Sequence, residues 1–235
     1  MRNYFTFGGL DSRDYGIYIS GSGVYNAPER QYNMIEIPGR SGDLIGLERR
    51  IANIELKYPA FIYDRFKQNI SKMKTAFMGL SGYQILNDTY YPEEYRKAVY
   101  VGGTEVDAYP MNNAGQFELT FSCKPQRYLV SGNNQVDVTT SLSIINPTDM
   151  PASPLIRVYG YGTLGINGDT VTIAQHATST DIDCEMMECY SGANSENSYV
   201  SFSTNDFPVL IPGANVFTKT SNITQILITP RWWTV

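Results

Sequence analysis

Asp181, Asp183 and Glu185 stand two residues apart, with Glu188 close behind. In a strand that spacing puts three carboxylates on one face, neighbours ~6–7 Å apart. Glycosidases hold their acid and base roughly 5–9.5 Å apart, so the spacing permits such chemistry. The same parity has a plainer reading, and it is the one expected here. Ile182, Cys184 and Met186 form the buried face, and the carboxylates form the wet one. Calcium would need further oxygens from a rigid loop, and no EF-hand spacing is present. His176, the single histidine, lies near Cys184 and Cys189. Structural zinc wants closer Cys pairs and four ligands, so the trio reads poorly as a metal site. Cys184 shares the parity of its apolar neighbours and behaves as a small hydrophobe. Gly160, Gly162 and Gly165 fit a dinucleotide fingerprint by letter, yet no helix opens after them. Trp232 and Trp233 could stack on sugars; one on each face of a terminal strand, they are expected to close a core. No catalytic residue, cofactor or metal is expected.

The elements that would position these groups are mostly strands. Aromatic and β-branched runs bounded by glycines read as strands at 4–7, 15–19, 32–37 and 51–58. The period then changes: Phe66, Ile70, Met73, Phe77 and Leu80 step by four and three, one stripe of a helix over about 64–80. Asp64 is placed to cap its start and Gly79 or Gly82 its end. Lys67, Lys72 and Lys74 fall off the stripe, on a solvated face. Strands resume at 83–87, 96–101 and 116–123. The second half reads as at least six short strands, among them Thr180 to Tyr190, with Asn167-Gly168 as a hairpin turn. Short antiparallel strands need a second sheet over their apolar face, which predicts a sandwich or jelly roll.

Composition divides the chain. Up to residue 130 there are 15 Lys and Arg against 14 Asp and Glu; from 131 on there are 3 against 9. Fourteen of the 18 tyrosines also fall before residue 131. With three prolines between Pro147 and Pro154, this places a joint in 131–153 and two domains at 1–135 and 150–235. Hydrophobic residues make up 42% and charged ones 17%, which excludes wholesale disorder. A net charge of −5 argues against a nucleic-acid partner. No run approaches ~20 apolar residues, so no membrane partner is expected. The opening residues lack the pattern of a secretory signal, which points to synthesis in a cytoplasm. Tyr and Arg together in the first half suit a protein interface.

Phe5-Thr6-Phe7-Gly8-Gly9-Leu10-Asp11-Ser12-Arg13-Asp14-Tyr15-Gly16-Ile17, Ile37-Pro38-Gly39-Arg40-Ser41-Gly42-Asp43-Leu44, Ile166-Asn167-Gly168, Asp181-Ile182-Asp183, Phe207 to Asn215, and Ile228 to Trp233 follow one another along the chain. This order of motifs resembles the distal tail proteins of long-tailed, non-contractile bacteriophages. It covers roughly the whole chain in the correct order. Ala214, where the family often has an acidic residue, and Cys184-Glu185-Met186-Met187 depart from the pattern. The resemblance implies a mainly β fold: an N-terminal β-barrel-like domain with one helix, and a C-terminal galectin-like sandwich. It also implies a homo-hexameric ring at the phage tail tip, assembled in the host bacterial cytoplasm. Its partners would be the tail tube protein, the tail-associated tip protein and, in some phages, a receptor-binding protein. Pro38, Gly39, Arg40 and Gly42 become the candidate inter-subunit contact. Against this structural hub, with no enzyme activity, stands a carbohydrate-binding module of the tail tip that contacts the host surface. That alternative requires exposed aromatics on one sheet face or loop.

Overall fold

A computed structural model of the chain describes residues 2–21, 27–30, 32–46, 51–102, 106–108 and 114–235. Two compact units emerge, one of residues 1–127 with Val235 and one of 128–234. The first contains β1 (Phe5–Phe7), β2 (Leu10–Asp11), β3 (Ile17–Ile19), β4 (Asn33–Ile35), β5 (Leu44–Gly46) and β6 (Ile54–Ile62). These are followed by α1 (Phe66–Met78), β7 (Gln84–Asp88), β8 (Glu94–Tyr100), β9 (Val106–Ala108) and β10 (Gly115–Leu129). The main sheet runs β2-β1-β7-β8-β10-β6-β3. Ile19 N donates to Asn3 O at 3.0 Å, bridging the residues just before β1 to β3. That bridge brings the sheet's two ends together, and the sheet closes into a barrel.

Strict alternation builds this closed sheet. In β6, Ile54, Leu56, Tyr58, Ala60 and Ile62 point inward, and Glu55, Lys57 and Pro59 point outward. Helix α1 lays Phe66, Ile70, Met73 and Phe77 on the same core, each at most 8% exposed. Phe5, Phe7, Phe77 and Phe121 meet there with ring centroids 5.0 to 6.5 Å apart, in tilted and edge-on pairs. Gly115 makes room for the helix: a Cβ there would lie 2.4 Å from the Phe66 ring. Asp64 does not cap α1. The residue before the helix is Arg65, in a left-handed conformation and without a side-chain cap; Asp64 Oδ1 instead accepts from Arg65 N at 2.8 Å. Lys67, Lys72 and Lys74 are exposed.

The second unit is a sandwich. Its strands are β11 (Val136–Asp137), β12 (Ser143–Asn146), β13 (Leu155–Gly160), β14 (Gly162–Ile166), β15 (Asp169–Ile173) and β16 (Ser179–Asp183). Then come β17 (Glu188–Ser191), β18 (Asn194–Ser195), β19 (Val200–Phe202), β20 (Gly213–Lys219) and β21 (Ile223–Thr229). One sheet runs β11-β21-β13-β16-β17-β18, the other β12-β20-β14-β15-β19. Ile156, Val158, Ile182, Ile226 and Ile228 of the first face Leu164, Ile166, Val171, Ile173 and Phe217 of the second in one core. Trp232 joins that core, and Trp233 Nε1 donates to Pro151 O at 2.8 Å. Residues 131–153, where the composition places a joint, carry β11 and β12, which pair with β21 and β20 inside this unit.

Candidate inter-subunit surface

Strands β4 and β5 form a two-stranded hairpin with register Met34 to Ile45 and Ile35 to Leu44. Each register pair lies on its own face of the ribbon. Met34 is 57% exposed, Ile45 51%, Ile35 45% and Leu44 52%, with Tyr32 beside them at 51%. The ribbon is therefore apolar on both faces and covered on neither by the described residues. Hairpins of two strands are marginal alone in water, and clustered exposed apolar side chains mark a surface built to be covered.

The loop at its tip holds the residues singled out in the sequence. Arg40 N donates to Ile37 O at 3.2 Å, closing a four-residue turn with Pro38 and Gly39 in the middle. Gly39 has φ +81°, so the turn is type II, with proline presetting the first corner and glycine accepting the second. Gly42 has φ +88°, and a Cβ there would meet nothing within 4 Å. Its use is therefore conformational, since no described residue lies against it. Pro38, Gly39, Arg40 and Gly42 are all exposed. The Arg40 guanidinium makes no hydrogen bond or ion pair to a described residue.

The acidic stretch is not a wet face. Asp181 is 5% exposed and Asp183 2%. Arg157 Nε and Nη2 donate to the two oxygens of Asp181 at 2.6 and 2.8 Å, and Arg231 Nη1 and Nη2 do the same to Asp183 at 2.7 and 2.8 Å. Bidentate pairing of this kind allows the carboxylates to be buried. Burial pushes the Asp183 pKa up, but the Arg231 fork and two backbone amides outweigh it, and the carboxyl sits below its ordinary range. Hydrogen bonds to Asp181 raise the Arg157 pKa. The expected strand from Thr180 to Tyr190 breaks into β16 and β17. Asp183 Oδ1 accepts from the amides of Glu185 and Met186 at 3.1 Å, turning the chain, so Met186 is 67% exposed rather than buried.

The remaining candidates serve packing. Cys184 and Cys189 are in the sandwich core, and burial pushes the Cys189 thiol up to about 12. His176 stacks on Tyr199 with ring centroids 3.7 Å apart. Among the described residues no group of three His, Cys, Asp or Glu is placed to hold a metal ion. Gly160, Gly162 and Gly165 let strands pass closely: a Cβ on each would lie 2.1 Å from Asn222 O, Thr220 Oγ1 and Thr218 Oγ1 respectively. Ala214 is exposed in β20 opposite Ile145.

No protein-family model matches the sequence, and no curated protein matches it. Solved structures do match. The chain is similar to the SPP1 Dit protein, described as a paradigm of the hub adsorption apparatus in phages that infect Gram-positive bacteria: TM-score 0.69, 16% identity, over 97% of this chain and 98% of that one. It also matches a chain of the phage P2 baseplate in its activated conformation with calcium, at TM-score 0.51 and 10% identity over 97% and 98%. The strontium form of that baseplate gives TM-score 0.53 and 11% identity over 96% and 97%. The mainly β architecture, barrel-like unit plus sandwich, is thus a fold shared with the SPP1 Dit protein.

Proposed function

We propose that this chain is the structural hub of a phage tail tip, six copies closing into a ring that joins the tail tube to the tip and host-adhesion proteins. The fold shared with the SPP1 hub protein supports the hub role. The observation that carries the ring is the β4–β5 ribbon, bare on both faces among the described residues, with Arg40 at its tip paired to none of them. A neighbouring copy that accepts this ribbon repeats a heterologous contact around a closed ring. The first unit builds the ring in this reading, and the tail tube protein and tail-associated tip protein meet its two faces. Receptor-binding proteins attach at the periphery, and the complex resides in the virion after assembly in the host cytoplasm. No turnover is expected, because the paired carboxylates of the second unit are committed to Arg157 and Arg231.

A carbohydrate module would show aromatic faces open on the sandwich. Tyr199 is exposed there at 39%, but His176 already covers one face of its ring. The hub reading is therefore preferred.

Light scattering of the purified protein should give six chains of 26.3 kDa, about 158 kDa, or a pair of such rings. Arg40→Ala should shift ring dissociation to higher concentration, since a truncated interfacial charge pair costs about 2–5 kcal/mol. A wild type that stays monomeric at high concentration and low salt sinks the ring. Identical dissociation of wild type and Arg40→Ala returns Arg40 to the surface.

A further inference from the structure

On the outer face of the first unit, β3, β6 and β10 hold a groove of about 380 Å³. Ser20, Pro59, Phe61, Gln116, Phe117 and Glu118 line it. The register accounts for its shape. Pro59 lies opposite Glu118 and Phe61 opposite Gln116, and the pleat turns all four outward. Strand β3 ends beside them, where Ser20 N donates to Pro59 O at 2.8 Å. Phe61 makes one wall aromatic, with its ring centroid 4.8 Å from that of Tyr63 and 6.0 Å from that of Tyr18. On the opposite wall Glu118 pairs with Lys57 at 3.5 Å, and Lys57 stands at the same distance from Glu55. The cation beside Glu118 is therefore shared.

Groove and ribbon are both open in the same chain. Met34 and Ile45 are bare on one face of the β4–β5 ribbon, Ile35 and Leu44 on the other. Arg40, at the tip, pairs with no described residue. A chain that laid its own ribbon in its own groove would bury both. Each copy instead offers one donor surface and one acceptor surface.

We propose that this groove is the seat for the β4–β5 ribbon of a second copy, with the incoming Arg40 forking onto Glu118. The inference rests on the ring reading above and names the surface that receives the ribbon. A groove of that size has room on the order of a dozen waters, so it suits several side chains rather than one ion. The Met34–Ile45 face enters, and the Met34 thioether meets the Phe61 ring, a favourable sulfur–aromatic contact. Arg40 relieves the shared cation, since its planar fork matches a carboxylate. Glu36 and Asp43 flank the same turn, and the groove wall answers them with Lys57. Ribbon and groove are different surfaces, so the contact is heterologous and closes into a ring by repetition.

The test is a charge swap read by sedimentation across a dilution series. Arg40→Glu and Glu118→Arg each set like charges face to face, and each should raise the concentration at which rings dissociate by at least about 10-fold. The two changes in one chain should return it to within about 3-fold of wild type. Mixing the two single variants should do the same, because an alternating ring faces every glutamate with an arginine. A folding defect would not be rescued by mixing. Single variants that weaken the ring with no recovery in the double variant or the mixture overturn the seat. So do single variants that dissociate like wild type, and in that case the ring itself stands. A wild type that stays monomeric removes the ring reading and this seat with it.

Discussion

Asn167 Nδ2 donates to Asn215 Oδ1 at 2.8 Å, tying the turn between β14 and β15 to the start of β20, 48 residues on. Each amide uses both its oxygen and its nitrogen around this bond. Asn167 Oδ1 accepts from Val216 N at 3.0 Å, and Asn215 Oδ1 also accepts from Ile211 N at 2.8 Å. Asn215 Nδ2 donates to the carbonyls of Ile211 and Gly213 at 2.9 and 3.0 Å. Asn167 and Gly168 both have positive φ, the type I′ geometry that keeps adjacent strands twisted together. The turn from Ile211 to Asn215 is thus tied together by one buried amide.

Asn215→Ala should therefore destabilise the second unit. Asn215 is fully buried, and truncation removes the partner of Ile211 N and of the Ile211 and Gly213 carbonyls. Unsatisfied groups cost roughly 1–3 kcal/mol each when buried, and water reaching these part-buried ones leaves about 2 kcal/mol in all. Urea melts of wild type and variant give the difference. A loss under about 0.5 kcal/mol would mean that the loop does not depend on the amide.

Acid should act through Asp183. Its pKa is lower in the folded chain than its ordinary 3.8. A depressed carboxylate contributes stability above the unfolded value, and that contribution fades as pH falls through the folded value. Melting temperature should drop steeply below about pH 4. Asp183→Asn should melt lower at neutral pH, because Arg231 loses its buried partner, a change on the order of 3–5 kcal/mol. Its further loss in acid should be smaller than wild type's. A variant with the same acid slope as wild type would place the sensitivity elsewhere.

The contrast between α1 and the acidic stretch shows what local pattern can and cannot reveal. Phe66, Ile70, Met73 and Phe77 declare their helix because one local period decides which face is buried. Asp181 and Asp183 follow a strand period equally well, but their burial is decided by Arg157 and Arg231, 24 and 48 residues away. Neutralisation at that range leaves no local signal. The break after Asp183 was also hidden, since Ile182, Cys184 and Met186 continue the alternation while the Asp183 side chain turns the backbone. At the ribbon, alternation from Tyr32 to Ile37 announces β4, and Pro38-Gly39 announces the turn. Periodicity identifies strands but not what lies over them, so the bareness of Met34 and Ile45 appeared only in the structure.

The last prediction concerns where an autonomous sandwich begins. Composition places the start at about residue 150, just within the proline-rich stretch. The pairing of the strands argues for an earlier one. Strand β11 pairs with β21, matching Val136 to Ile228, and β12 pairs with β20, matching Ile145 to Ala214. Between them Val138 is fully buried, and Leu142 and Ile144 pack on the core. A fragment starting at 150 forfeits these side chains, about 1.5–3 kcal/mol for Val138 alone. It also bares the edges of β20 and β21, which then offer unpaired backbone to other chains. Since a domain of this size holds about 5–15 kcal/mol in total, the loss is a large share. Residues 128–235 should therefore melt cooperatively and stay soluble. Residues 150–235 should melt at least about 15 °C lower or show no cooperative transition, which circular dichroism on the two fragments will decide. Equal melting temperatures would mean that β11 and β12 are ornaments on a core complete without them, and the joint would belong where composition places it.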